Sequence, residues 1–149
     1  MANIMRRGDG GKRSQSATTA ALNLLGKVRA LLTPEGAWGK GDLYCDQDLG
    51  GSYQPEYHKG GSRCILGGIS KVLGLPDGAY PGTGPGGPES RGPVTVRMLA
   101  ETINGDITGR DLENTESILY IYNDEKRTTQ DDILDLLDRT IEYAERNFA

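Results

Sequence analysis

The sequence predicts a mainly α-helical fold: four or five helices in a small single domain, interrupted by a short β-hairpin or an irregular Gly-rich insertion, and α+β at most. Three observations carry this. Segments 16–32 and 129–147 space their apolar residues at the 3.6-residue period of a helix with one buried stripe. Two further segments end in glycine cap signals, at Gly74 followed by Pro76 and at Asn104-Gly105. Sixteen of the 22 glycines fall between Gly36 and Gly92, which marks the middle third as mostly loop.

Taken in order, residues 1–15 form a flexible basic arm, polar and aperiodic, with Arg6, Arg7, Lys12 and Arg13 against Asp9. The rest, 16–149, is read as one globular domain. Its first helix shows Ala21, Leu24, Leu25, Val28, Leu31 and Leu32 along one stripe, and Pro34 stops it because proline has no N–H and disfavours helical geometry at Thr33. Asp42–Cys45 and Ser52–Gln54 flank a polar turn and suggest the hairpin. A second helix is expected over 63–73, following the Gly60-Gly61-Ser62 turn, with Cys64 in its first turn. Residues 77–92, rich in Gly and Pro and poor in apolar side chains, read as a mobile loop.

Pro93 suits the first turn of a third helix running to Asn104. Asn114–Tyr122 reads as a fourth, with Ile118, Ile121 and Tyr122 on one face, and 123–127 as a turn. Thr129 with Asp132 three residues on resembles a capping box and opens the last helix. The stripe of that helix is Ile133, Leu136, Leu137, Thr140, Ile141 and Ala144, opposite Asp131, Asp135, Asp138, Glu142 and Glu145. The first and last helices are expected to pack their stripes against the Cys64 helix.

Composition narrows the function classes. Hydrophobic residues make up 36% of the 149, so the core is small for the length. A net charge of −4 argues against a general polyanion binder, and leaves a DNA-associated regulator using the basic arm as the weakest reading. No run approaches the ~18 apolar residues of a membrane span and no apolar leader follows Met1, so a cytoplasmic location without membrane contact is expected. Cys45 and Cys64 are expected as two thiols rather than a disulfide.

Cys64 at a helix start invites a thiol-based site, with His58 near in sequence and Asn123 or Asp124 delivered from the far end as orienting groups. Against this, a cysteine followed by Ile65 and Leu66 usually packs as a small apolar residue. Cys45, His58 and Cys64, with Asp46 or Asp48, offer zinc-type ligands but lack the close cysteine pairs of a structural site. The Asp46-Gln47-Asp48 run misses the calcium-loop pattern at position 5, Gly50, and position 12, Tyr57. The Gly82–Gly87 run lacks the Gly-Lys-Ser/Thr ending of a phosphate cradle. No metal and no cofactor is assigned. Asn123 and Asp124 suit tight turns and caps, with Asp124 expected to hold Arg127 or Arg63. Trp38 between glycines suits a core plug or a lid.

Three short stretches occur together in order: Trp38-Gly39-Lys40-Gly41; Arg63-Cys64-Ile65-Leu66-Gly67-Gly68-Ile69; and Tyr122-Asn123-Asp124-Glu125-Lys126-Arg127-Thr128, leading into Asp132-Ile133-Leu134-Asp135-Leu136-Leu137. In this the chain resembles the domain-of-unknown-function 6197 family of actinobacteria and their bacteriophages. That family's pattern is a tryptophan–glycine stretch, a Cys-Leu-x-Gly-Ala-Leu helix start, and a Trp-Asn-Asp followed by Arg-Thr and a closing helix. Here Tyr122 stands for the tryptophan and Gly68 for the alanine, while 50–61 and 77–92 look like insertions. The resemblance implies a phage or actinobacterial source and no particular activity. It also implies a junction where Trp38, the Cys64 helix start and Asn123-Asp124 converge. The binding candidates are therefore Trp38, Arg63, Cys64, Tyr122, Asn123 and Asp124, and Cys64 and Asp124 are the only catalytic candidates. The leading expectation is a non-enzymatic binding or interaction module for a protein or small ligand; a thiol-dependent enzyme using Cys64 is the alternative.

Overall fold

The computed structural model describes residues 15–83, 90–105 and 112–148; residues 1–14 of the predicted arm and the centre of the 77–92 loop lie outside the described residues, and Gln15 belongs to the first helix instead of the arm. Among the described residues five α-helices follow in order: α1 Gln15–Leu32, α2 Ile65–Leu73, α3 Arg91–Asn104, α4 Leu112–Asp124 and α5 Gln130–Phe148. Short 3-10 turns at Pro55–Tyr57 and Pro81–Thr83 lie between them. The fold is mainly α-helical, as the periodicity predicts.

The stripes become buried faces. In α1 the buried residues are Thr18, Ala21, Leu24, Leu25, Val28 and Leu32. In α5 Ile133, Leu136, Leu137, Thr140 and Ala144 are buried while Asp131, Asp135, Asp138, Glu142 and Glu145 face out. The α5 capping box forms as read: Asp132 Oδ2 accepts from the Thr129 N–H at 2.9 Å, and the Asp132 N–H donates to Thr129 Oγ1 at 3.3 Å. Gly74 caps α2 in the left-handed region at φ 80°.

The packing differs from expectation in one respect. Helix α1 does lie against α2, but α5 packs on α1 and α3 instead of on the Cys64 helix. Helix α3 accounts for this, because it is buried nearly all round, from Gly92 to Val96 and again from Met98 to Ala100, and so touches α1, α4 and α5 at once. It also begins at Arg91, two residues before Pro93.

Helix α4 runs two residues further than the sequence suggested, so Asn123 and Asp124 form its last turn and not a loop. Its buried side is marked by Leu119, whereas Ile121 is 63% exposed. The predicted hairpin does not form; the irregular Gly-rich alternative does. Cys45 exchanges backbone hydrogen bonds with Gly61 and Ser62, not with 52–54. The sole β-type pairing among the described residues is an isolated parallel bridge between Trp38 and Arg63.

Candidate functional site

Residues 37–45 thread between α2 and the end of α4, and two glycines make the passage possible. A Cβ on Gly67 would overlap the Leu43 carbonyl oxygen, and one on Gly39 would overlap the Tyr57 carbonyl oxygen. Backbone bonds then fix the strand-like run: Gly39 N–H to Arg63 O at 3.0 Å, Arg63 N–H to Ala37 O at 2.9 Å, and Cys64 N–H to Asp42 O at 3.2 Å.

Asn123 ties this run to both helices. Its Oδ1 accepts from Trp38 Nε1 at 2.7 Å and from the Ile65 N–H at 3.0 Å; its Nδ2 donates to Gly39 O at 3.1 Å and to Asp124 Oδ1 at 2.9 Å. The side chain is fully buried, so all its polar capacity goes into holding Trp38, Gly39 and the free N-terminus of α2. Asp124 Oδ1 also accepts from the Gly41 N–H at 2.9 Å. Lys40 closes the clasp, its Nζ donating to Glu125 O at 2.7 Å and Lys126 O at 3.1 Å beyond the end of α4, where an ammonium complements the helix dipole. That ammonium lies 4.4 Å from the Tyr57 ring centroid and 5.9 Å from that of Trp38, and burial lowers its pKa.

The predicted convergence is therefore present as geometry: Trp38, Cys64, Asn123 and Asp124 meet. Arg63 joins through its backbone, but its guanidinium turns away to Asp77 at 3.0 Å and stacks 4.2 Å from the Tyr44 ring centroid. Asp124 holds the Gly41 amide and neither Arg127 nor Arg63. Tyr122 enters through its carbonyl, which Thr128 Oγ1 caps at 2.8 Å, while its half-buried ring packs against the core.

Cys64 is the N-cap of α2, one residue before the helix, and its Sγ accepts from the Gly67 N–H at 3.4 Å. Burial pushes the thiol pKa up to about 11, outweighing that hydrogen bond, and the Asp124 carboxylate raises it further. At neutral pH Cys64 is a thiol, not a thiolate. His58 bonds through Nδ1 to Gln54 O at 2.9 Å and meets the Tyr53 ring edge-on. Cys45 is likewise a free thiol, and its Sγ donates to Gln47 O at 2.9 Å. Among the described residues no three of His, Cys, Asp and Glu are grouped to hold a metal ion.

Beside the clasp a cleft of about 220 Å³ opens, lined by Gly41, Asp42, Leu43, Cys64, Leu66, Tyr80, Tyr120 and Asp124. Tyr80 forms one wall because its neighbours are tied down: Ser70 Oγ donates to Ala79 O at 2.6 Å, and the Gly82 N–H donates to Glu116 Oε2 at 3.1 Å. Sequence reasoning missed Tyr80 and Tyr120. Tyr80 sits in a stretch with too few apolar residues to suggest packing, and the period of α4 does not single out Tyr120; the one available signal was an aromatic ring isolated among glycines and prolines.

No described helix is long and apolar enough to cross a membrane. Searches of curated proteins and of solved structures returned no match. A family model described as a family of unknown function, DUF6197, matches residues 16–143, a span that contains every residue of the clasp and the cleft, and the chain belongs to that family.

Proposed function

We propose that this protein is a non-enzymatic binding module whose ligand-facing feature is the cleft between Gly41–Leu43 and the Tyr80, Tyr120 and Asp124 walls. The observation that supports this most directly is the division of labour around Asn123. The buried polar groups of the junction are satisfied by one another, so they hold the backbone, while the adjoining cleft keeps carboxylate and phenol groups at the surface. Its occupant is a small molecule or a side chain presented by a partner protein. A bacteriophage or actinobacterial source, with action in the cytoplasm of the producing or infected cell, accords with the family resemblance.

The thiol-enzyme reading is weaker on chemical grounds. A nucleophilic cysteine needs a thiolate or a base in reach, and Cys64 has its pKa raised while His58 is bonded to Gln54 O. Native mass spectrometry of the full chain purified from its own host tests the binding reading. The expected result is a retained small molecule or second chain that Tyr120→Ala releases. Iodoacetamide labelling of Cys64 faster than a free thiol peptide at pH 7, in a Cys45→Ser background, would instead move the site to thiol chemistry.

A further inference from the structure

Taking the cleft as a binding site, as above, we propose that its occupant is an organic monocation: a primary ammonium or guanidinium head carried on a short apolar stem. Among the described residues, the charged side chains that line it are Asp42 and Asp124, both carboxylates, and no Lys, Arg or His lines it. The basic side chains next in sequence to the lining residues Gly41 and Cys64 are already engaged. Lys40 is bonded to the Glu125 and Lys126 carbonyls, and Arg63 is paired with Asp77.

The two carboxylates keep acceptor capacity. Both described donors to Asp124, the Gly41 N–H and Asn123 Nδ2, go to Oδ1, which leaves Oδ2 of this exposed residue available to accept. Asp42 is exposed, and it is its backbone carbonyl, not its carboxylate, that accepts from Cys64. Tyr80 and Tyr120, each 41% exposed, add aromatic faces, whose quadrupoles attract cations and not anions. Leu43 and Leu66 supply apolar contact for a stem. The local field has the same sign: besides burial, the Glu116 and Asp124 carboxylates, the neighbours that are charged at neutral pH, raise the Tyr80 pKa. At about 220 Å³ the cleft lies below the usual ~300–1,000 Å³ of drug-sized sites, which suits a head group with a few carbons better than a nucleotide.

The test is an amide-resolved NMR titration of the full chain with four probes at low salt: butylammonium, butylguanidinium, 1-butanol and butyrate. N-acetyl-lysine methylamide is added to separate a free amine from a side chain presented by a peptide. The expected result is saturable shifts at the Gly41 and Leu66 amides with the cations, several-fold weaker ones with butanol, and none with butyrate. Tighter binding of the lysine derivative than of butylammonium identifies the peptide source; the reverse identifies the free amine. Asp124→Asn keeps an Oδ1 acceptor for Gly41 and Asn123, so it removes charge without unclasping the loop. It and Asp42→Asn should each weaken cation binding by about three- to fivefold, the scale of one exposed ion pair. Equal affinity for butanol and butylammonium, or unchanged cation affinity in both variants, overturns the proposal. Shifts with butanol or butyrate alone reject the cation and leave the binding reading standing. Silence of these amides towards every probe also rejects the cation, and the binding reading then falls only if native mass spectrometry finds nothing retained.

Discussion

The Trp38 indole N–H donates to the Asn123 side-chain oxygen at 2.7 Å across 85 residues of sequence, and both residues are buried. This bond joins the Gly-rich passage to the last turn of α4, and the same oxygen also takes the Ile65 N–H at the start of α2. Asn123→Ala should leave the Trp38 and Ile65 donors and the Gly39 carbonyl without their partner. At ~1–3 kcal/mol for each orphaned buried group, and allowing for relaxation, a loss of about 3 kcal/mol or more is expected. Urea unfolding followed by Trp38 fluorescence measures it, and a loss under about 1 kcal/mol would show that water replaces the asparagine.

Two glycines should respond in opposite ways to alanine. Gly67→Ala drives a Cβ into the Leu43 carbonyl and must push the 37–45 run off α2, at several kcal/mol or with loss of folding. Gly26 lies exposed within α1 with nothing near its missing Cβ, so Gly26→Ala should stabilise by roughly 0.5–1 kcal/mol through helix propensity. Thermal melts of the two variants side by side check both signs.

Cys64 should make the fold alkali-sensitive. Its folded pKa of about 11 lies above the ordinary thiol value of 9.0, so the unfolded chain loses this proton first as pH rises. The contribution is therefore fully present below about pH 9 and is lost as pH climbs to about 11, to the extent of roughly 2–3 kcal/mol at ~1.4 kcal/mol for each pKa unit. Urea midpoints measured from pH 7 to 11 should fall more steeply in the wild type than in Cys64→Ala.

On the surface, Arg29 grips Asp138 through Nε at 2.9 Å and a second nitrogen at 3.1 Å, joining α1 to α5. The hydrogen bond to Arg29 lowers the Asp138 pKa, so the pair's contribution is present above the ordinary carboxylate range and disappears as pH falls through the depressed value. Both side chains are more than a third solvent-exposed or close to it, and screening limits the effect to at most about 1 kcal/mol. Asp138→Asn should cost that much at pH 7 in low salt, and the difference from wild type should shrink in 1 M NaCl and as acid protonates Asp138.

The helices were legible in the sequence because their causes are local. A stripe such as Leu24, Leu25, Val28 and Leu32, a Thr129–Asp132 box, or Gly74 before Pro76 acts within one or two turns of the backbone, and each formed as read. Family order added the meeting of Trp38, Cys64, Asn123 and Asp124, which no periodicity contains. Tertiary structure alone decided what those residues do there. Burial turned Asn123 from a turn former into a three-way clasp, and turned Cys64 from a potential nucleophile into a neutral cap. It also brought Tyr80 and Tyr120, 40 positions apart, into the lining of one cleft. Local propensity fixes which segments coil, whereas a polar group's role depends on which partners packing brings within about 3 Å and how much water packing removes.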